Sequence, residues 1–415
     1  MTDKLDPKKK NLLQNTVFLY MMRFATYVFP ILTIPFLTRV LHENNYGIYT
    51  WTNAIINYTR LFVDFGFVLY GVEAIAACKG DKNACGKIVG IIIEFKIILC
   101  ILTGAILVIL CLIRDDFREY SLMIFLSYLS VVVSILNIDY LFQGLEQMKY
   151  ITIRVLITKV LFTIMVFAFI RTPEQYILIP IFTAIGDGIT VVLMLRTMNK
   201  MQIKVVWQKL KDGYDIFKKS VWFFYSRIFG AIYTYGNTIV IGIVFSKVDV
   251  AQYNIAYTLL VLLQNFITPV ADSLYPYMVK NKDFKLLKKL LLVFEPLILL
   301  GCVIAFFISP WIIPIVFGKE YTVTPTIFRG MLLMVAIALP EYLMGYPALS
   351  ALGKFKEPNI AVIIAGCFHI LGLIVLYFTD TVSLMNIVFL TFGTELLVTI
   401  IRGNFLHKAY RSLKL

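Results

Sequence analysis

Polar positions are sparse along this chain and gather into short clusters separated by apolar runs of about 20 or more residues. A helix rising 1.5 Å per residue needs about that length to cross the ~30 Å hydrocarbon core of a bilayer. The pattern predicts twelve spanning helices, at about 13–40, 47–77, 87–113, 118–142, 152–171, 174–197, 219–245, 250–279, 286–315, 323–352, 357–378 and 381–406. The short alternating segments of an outer-membrane barrel are not visible. The expected class is therefore an all-α polytopic membrane protein.

The pattern also repeats. Sliding the chain by 204 residues lays Thr16-Val17 on Ser220-Val221, Arg23 on Arg227, and Gly47-Ile48-Tyr49 on Ala251-Gln252-Tyr253. A long basic stretch at about 197–218 divides the halves. Six spans per half make the repeat parallel, related by an axis along the membrane normal. The architecture expected is two six-helix lobes, 1–205 and 206–415, around a central cavity.

Charge placement sets the orientation. Lys8–Lys10, Lys79, Lys82, Lys149, Lys200, Lys204, Lys209, Lys211, Lys280, Lys282, Lys285, Lys354, Lys356, Lys408 and Arg411 fall in the tails and alternate loops. The opposite loops hold only Arg114, Arg118, Arg171, Lys247 and Lys319, with Glu43, Asp115, Asp116, Asp249 and Asp380 among them. The positive-inside rule then puts both termini in the cytoplasm. The polar start MTDKLDPKKK, followed by a full-length apolar run, does not read as a signal peptide.

Composition agrees. Of 415 residues 60% are hydrophobic and 15% charged, and the mean hydropathy is +0.82, which excludes a soluble globular fold. The net charge of +14 lies in short inter-span loops, so it argues for membrane orientation and against nucleic acid. Cys100, Cys111, Cys302 and Cys367 lie in apolar runs as small core residues, and Cys78 and Cys85 bracket a basic loop as a reduced pair. No metal-ligand spacing, P-loop or Ser/His/Asp arrangement is present in the sequence, so neither metal, cofactor nor built-in ATP motor is expected.

Charges inside a bilayer cost about 2.5–3.5 kcal/mol each on insertion scales, so each asks for a reason. In the second span Asn53, Asn57, Arg60 and Asp64 form one polar stripe at helical spacing. It reads either as a cavity wall or as a clamp in which Arg60 pairs with Asp64. Arg23, Lys96, Lys159 and Arg227 are further intramembrane cations. Lys96 lies near a span end, where it can snorkel. Arg23, Arg60, Lys159 and Arg227 converging on a cavity would attract a diphosphate or acidic sugar; singly, each reads equally as a structural ion pair with Asp64, Asp139 or Asp187. Glu295, Glu341, Glu395 and His369 populate the second half. With Asp64 and Asp139 they are the candidates for carrying a coupling ion. Glu341 leads, because it follows Pro340 in the half poorer in buried cations, with no arginine evident to hold it ionised. Tyr233, Tyr235, Asn237, Tyr253 and Tyr257 are candidates for stacking on sugar rings.

Between the fourth and fifth spans runs D-Y-L-F-Q-G-L-E-Q-M-K-Y-I-T-I-R, with Lys159 following. Asp139, Gln143 and Glu146 are spaced to share one helix face. This segment, with the turn L-H-E-N-N-Y-G-I-Y after the first span, resembles Wzx-type polysaccharide flippases of the multidrug/oligosaccharidyl-lipid/polysaccharide exporter superfamily. His42 stands where that family usually has Gly, a departure with no bearing on the assignment. The resemblance implies a non-enzymatic flippase in the bacterial inner membrane. Its substrate would be an undecaprenyl-diphosphate-linked oligosaccharide, an O-antigen, capsule or exopolysaccharide unit, moved outward by alternating access. With no ATP motif in the sequence, two drives remain, an H+ or Na+ gradient or removal of product in the periplasm; the partners expected are membrane lipids, a polysaccharide polymerase and a chain-length regulator. Two other classes stay open. A multidrug antiporter of the same superfamily would have an acidic and aromatic cavity. A membrane-embedded polymerase or glycosyltransferase would need a long external loop that this chain lacks.

Overall fold

A computed structural model describes residues 7–78 and 80–412. Lys79 lies outside the described residues, as do both chain ends and the side chains of Lys8–Lys10. The described residues are mostly helical, and eleven helical stretches are long and apolar enough to cross a membrane. One of them, Val17–Ala77, has 61 residues and is broken at His42, whose φ of 57° and ψ of 173° are not helical. The twelve-span expectation amounts to counting this stretch as two.

Two compact units divide between Arg227 and Ile228. The first contains α1 (Pro7–Asp64), α2 (Phe67–Ala77), α3 (Lys82–Ile113), α4 (Asp115–Glu119), α5 (Ser121–Ser134), α6 (Asp139–Gly144), α7 (Met148–Phe169), α8 (Leu178–Lys200) and most of α9 (Tyr214–Ala231). The basic stretch that follows α8 packs with this first unit. Val206 N–H donates to the Gly86 carbonyl (3.1 Å) and Gln208 N–H to Glu94 Oε1 (3.1 Å), so the basic stretch is laid along α3. Gly86 and Gly90 permit it, because a Cβ at either would collide with the backbone of Lys204 or Val206. Phe217 and Phe224 then stack on Phe65, at 4.6 and 4.4 Å between ring centroids. Aromatic pairs of this kind add about 1 kcal/mol each beyond their buried area.

The second unit holds α10 (Asn237–Val244), α11 (Lys247–Asn281), α12 (Phe284–Phe317), α13 (Thr324–Leu343), α14 (Glu357–Phe378) and α15 (Leu384–Ser412). Ser246 caps α11 reciprocally with Asp249, and Asp283 caps α12 through Leu286 N–H at 2.9 Å. α13 is the buried centre, packed on α11, α12 and α15. π-turns interrupt the helices at Ile232–Gly236 and Met344–Leu349. Such turns displace helix faces and recur beside functional groups. α12 exposes Leu292, Leu297, Phe307, Trp311 and Ile315, an outward apolar face that suits lipid and would be untenable in water.

Candidate functional site

In the first unit the intramembrane charges come together across helices. Arg60 does not clamp to Asp64 on its own helix. Its Nη2 donates to Ser130 Oγ on α5 (2.9 Å) and lies 3.7 Å from Asp187 on α8. Asp64 instead accepts from Lys96 Nζ on α3 at 2.9 Å. Lys96 is 1% exposed, so it does not snorkel to an interface; the carboxylate turns it inward. Arg154 forks onto Asp139, with Nε to Oδ1 at 2.9 Å and Nη2 to Oδ2 at 2.6 Å, and Asn137 donates to Oδ2 at 3.1 Å. This bidentate geometry is the strongest form of the pair.

Arg60, Asp64, Asn137, Arg154 and Asp187 line a cavity of about 60 Å³, room for waters and too small for a sugar. Lys159 acts electrostatically on Asp187, and Arg227 on Asp64. Neither cation has a carboxylate within ion-pair distance among the described residues. Arg60, Lys96, Arg154 and Lys159 thus face three carboxylates, Asp64, Asp139 and Asp187, so the cluster is net cationic before Arg227 is added. Arg23 is half-buried and does not line this cavity. Asn57 donates to Asn53 at 3.2 Å one turn away, and neither of them lines the cavity.

The D-Y-L-F-Q-G-L-E segment is built chiefly for shape. Tyr140 is fully buried, and a Cβ at Gly71 would lie 2.8 Å from its ring. One at Gly144 would lie 2.7 Å from Ile75. α6 ends at Gly144 and Glu146 takes a φ of 57°, so Asp139, Gln143 and Glu146 do not share a helix face as their spacing suggests. Asn15 Nδ2 seals the turn by donating to the Glu146 carbonyl at 2.7 Å.

The second unit holds a different set. Glu341 is not without an arginine: Arg402 Nη1 donates to its Oε1 (3.2 Å) and to its backbone carbonyl (3.0 Å). Gly345 makes room, since a Cβ there would lie 3.2 Å from Arg402 Nη1. Arg402 is 8% exposed, and sequence reasoning assigned it no role. The signal was its seven-residue spacing from Glu395, which puts the two on one helix face. Glu395 accepts from Gln264 and interacts with Glu341, and its Oε2 is buried without a partner. Glu295 sits on α12, joined to neither by a hydrogen bond or ion pair among the described residues. His369 is fully buried, 2.8 Å from Thr394 Oγ1 and 2.8 Å from Asn237 Oδ1. Asn237 and Tyr253 are 0% and 1% exposed, so they belong to the core network and do not present a surface for sugar stacking. Tyr257 lies parallel to Tyr253 at 6.3 Å.

Comparison with known proteins gives the family and the fold. A "Putative O-antigen transporter" of Escherichia coli (strain K12) is 24% identical over 280 residues, 66% of this chain and 66% of that one, just short of two thirds of its length. A protein of the same name from Shigella dysenteriae is 26% identical over 364 residues, covering 86% and 91%. Among solved structures, "Lipid II flippase MurJ, inward closed conformation" superposes with a TM-score of 0.70 at 14% identity, over 97% of this chain and 88% of that one, a likeness of fold. The family model described as "Polysaccharide biosynthesis protein" matches residues 12–282, and with most of the chain so covered this multi-pass membrane protein belongs to that family.

Proposed function

We propose that this protein is a flippase that carries an undecaprenyl-diphosphate-linked oligosaccharide across the bacterial inner membrane by alternating access. The observation that supports it best is the surplus of positive charge in the first unit. Lys159 and Arg227 stand near carboxylates that are already engaged or shared, so their charge is available to an anionic headgroup. A diphosphate is such a headgroup, and in a low-dielectric interior it gains far more from a nearby cation than it would in water. Arg60 contributes from the cavity wall, while Arg154 and Lys96 hold acids in place. Relatives named transporters and a neighbour named a flippase support the same reading.

Coupling to an ion gradient is the second half of the proposal. The second unit supplies the groups for it, Glu341, Glu395 and His369, with both termini in the cytoplasm. Reporter fusions after Asp81, Lys211 and Lys282 are expected to report cytoplasm, and those after Asp116 and Asp249 periplasm. A periplasmic signal from the Lys211 fusion would reverse the orientation.

The headgroup site is tested by the pair Lys159→Gln and Arg227→Gln. Neither change breaks an ion pair, so membrane abundance should hold while surface polysaccharide falls at least tenfold. Lys159→Arg should restore most of it. Undiminished polysaccharide from the double variant would remove these cations from the site.

A further inference from the structure

The hydrogen bonds around His369 specify where its protons can sit. Asn237 Nδ2 lies 3.1 Å from the Tyr233 carbonyl, 2.9 Å from Thr391 Oγ1 and 3.2 Å from the Tyr253 hydroxyl. A backbone carbonyl can only accept, and Thr391 donates its own hydrogen to the Ile387 carbonyl at 2.7 Å. The amide is therefore oriented, and its oxygen is the atom that faces His369 Nε2. Nε2 must carry a hydrogen in every charge state.

Nδ1 has a partner of the opposite kind. Thr394 Oγ1 lies 2.8 Å from Nδ1 and 2.8 Å from the Leu390 carbonyl. With its hydrogen on Leu390 O, the hydroxyl offers a lone pair, and Nδ1 must be protonated to use it. With the hydrogen rotated to Nδ1, the ring is neutral and still bonded on both sides. A hydroxyl hydrogen turns freely between two such acceptors.

We propose that His369 is a proton-binding site of the second unit, held so that rotation of the Thr394 hydroxyl keeps both its neutral and its protonated form hydrogen-bonded. Uptake adds one proton to the Nδ1 lone pair and swings one hydroxyl hydrogen to Leu390 O; no covalent bond breaks, and the ring gains one positive charge. The inference deepens the ion-coupling half of the proposed function and depends on it only for its consequence.

The groups around the ring set what a proton there costs. Tyr233 faces the imidazole at 6.0 Å between ring centroids, and Tyr253 reaches it through Asn237, with Tyr257 stacked behind. α15 brings Glu395, adjacent to Thr394, and Arg402; α13 brings Glu341 and Tyr342. On α14 itself the other ionisable groups are Glu357 in the first turn, Cys367 and Tyr377. No carboxylate forms an ion pair with His369 among the described residues, so burying its charge is not offset by a fixed partner. Glu341, bonded twice to Arg402, is less free to exchange a proton than a ring that stays bonded in both states.

The chain has three histidines, His42, His369 and His407, so nitrogen-15 NMR of histidine-labelled protein in lipid nanodiscs can be assigned with His42→Gln and His407→Gln. On acidification from about pH 9 to about pH 3, low enough to charge a ring buried without a fixed counter-ion, His369 should pass from the Nε2–H neutral tautomer to the doubly protonated ring. Thr394→Val leaves Nδ1–H without an acceptor and should lose the doubly protonated signal at the acid end; Thr394→Ser should regain it. A His369 signal that stays in one form throughout, an Nδ1–H neutral tautomer, or a Thr394→Val spectrum like the wild type would overturn the site. The consequence is read in proteoliposomes with a fluorescent polyprenyl-diphosphate sugar. An imposed pH gradient should speed wild-type flipping, and His369→Gln should lose at least nine tenths of that stimulation. Full stimulation in His369→Gln would move the coupling proton to Glu395 and overturn the proposal. If wild-type flipping ignores the gradient while His369 titrates, the ion-coupled transport reading fails and the proton site stands.

Discussion

The two units solve the problem of intramembrane charge in opposite ways. In the first, acids and bases are matched across helices: Lys96 with Asp64, Arg60 with Asp187, Arg154 with Asp139. Cations outnumber acids there, and the excess sits on Lys159 and Arg227. In the second, one ion pair, Glu341–Arg402, stands beside a neutral chain of Asn237, Thr391, Thr394 and His369, and a carboxylate is left over. A site with fixed surplus positive charge can hold an anion but has little to exchange. A site of neutral, double-natured groups can gain or lose a proton without rebuilding its bonds. On the function proposed above, the first unit would take the anionic substrate and the second the driving ion.

Breaking an ion pair should therefore do different things in each unit. Asp139→Asn sets an amide N–H against Arg154 and destroys the fork that ties α6 to α7. Both partners are 19% exposed, so the cost falls below that of a fully buried pair, at about 2–3 kcal/mol. Membrane abundance and the thermal midpoint in detergent should fall together, and the charge swap Asp139→Arg with Arg154→Asp should recover part of both. Glu341→Gln should be milder, at about 1 kcal/mol, although its pair is the more buried. Arg402 keeps the backbone carbonyl of residue 341, and the amide oxygen can still accept. Equal losses in the two variants would mean that the second unit depends on its ion pair as the first does, and the contrast would not hold.

These differences were only partly legible in the sequence. Apolar length and spacing give helices, spans and faces, so the stripe of Arg60 and Asp64 and the acids of the second half were visible. Spacing cannot say which helix lies opposite. Arg60 and Asp64, four apart, looked like partners, yet each found a better one on a helix 32 to 127 residues away in sequence. Arg154 and Arg402 were passed over because each lies toward the end of its apolar run, where an arginine ordinarily reaches solvent. The positive-inside reading absorbs such residues into loops. His369 was visible as a residue but not as a site, because its chemistry resides in the hydroxyl rotor of Thr394 and the fixed amide of Asn237.

The smallest effect tests the repeat itself. Sliding by 204 residues sets His42 on Ser246 and Asn45 on Asp249. In the second unit that position is a helix cap of ordinary backbone, φ −70° and ψ 161°, with the Ser246 and Asp249 side chains closing reciprocally on the backbone. In the first unit His42 carries the chain through φ 57° and ψ 173°, a region that glycine alone enters without strain. The family's usual glycine at this position thus has a physical reason, and the histidine here works against it. Strain of this kind costs about 1–3 kcal/mol, of which glycine's greater freedom in the unfolded chain gives back up to ~1 kcal/mol. His42→Gly should therefore stabilise by about 1 kcal/mol, and at this chain length that raises the thermal midpoint by about 1 °C. His42→Ser copies the second unit's residue without its backbone, so it should gain nothing. If serine stabilised as much as glycine, the first unit could adopt the second unit's cap, and the two turns would differ by residue choice alone.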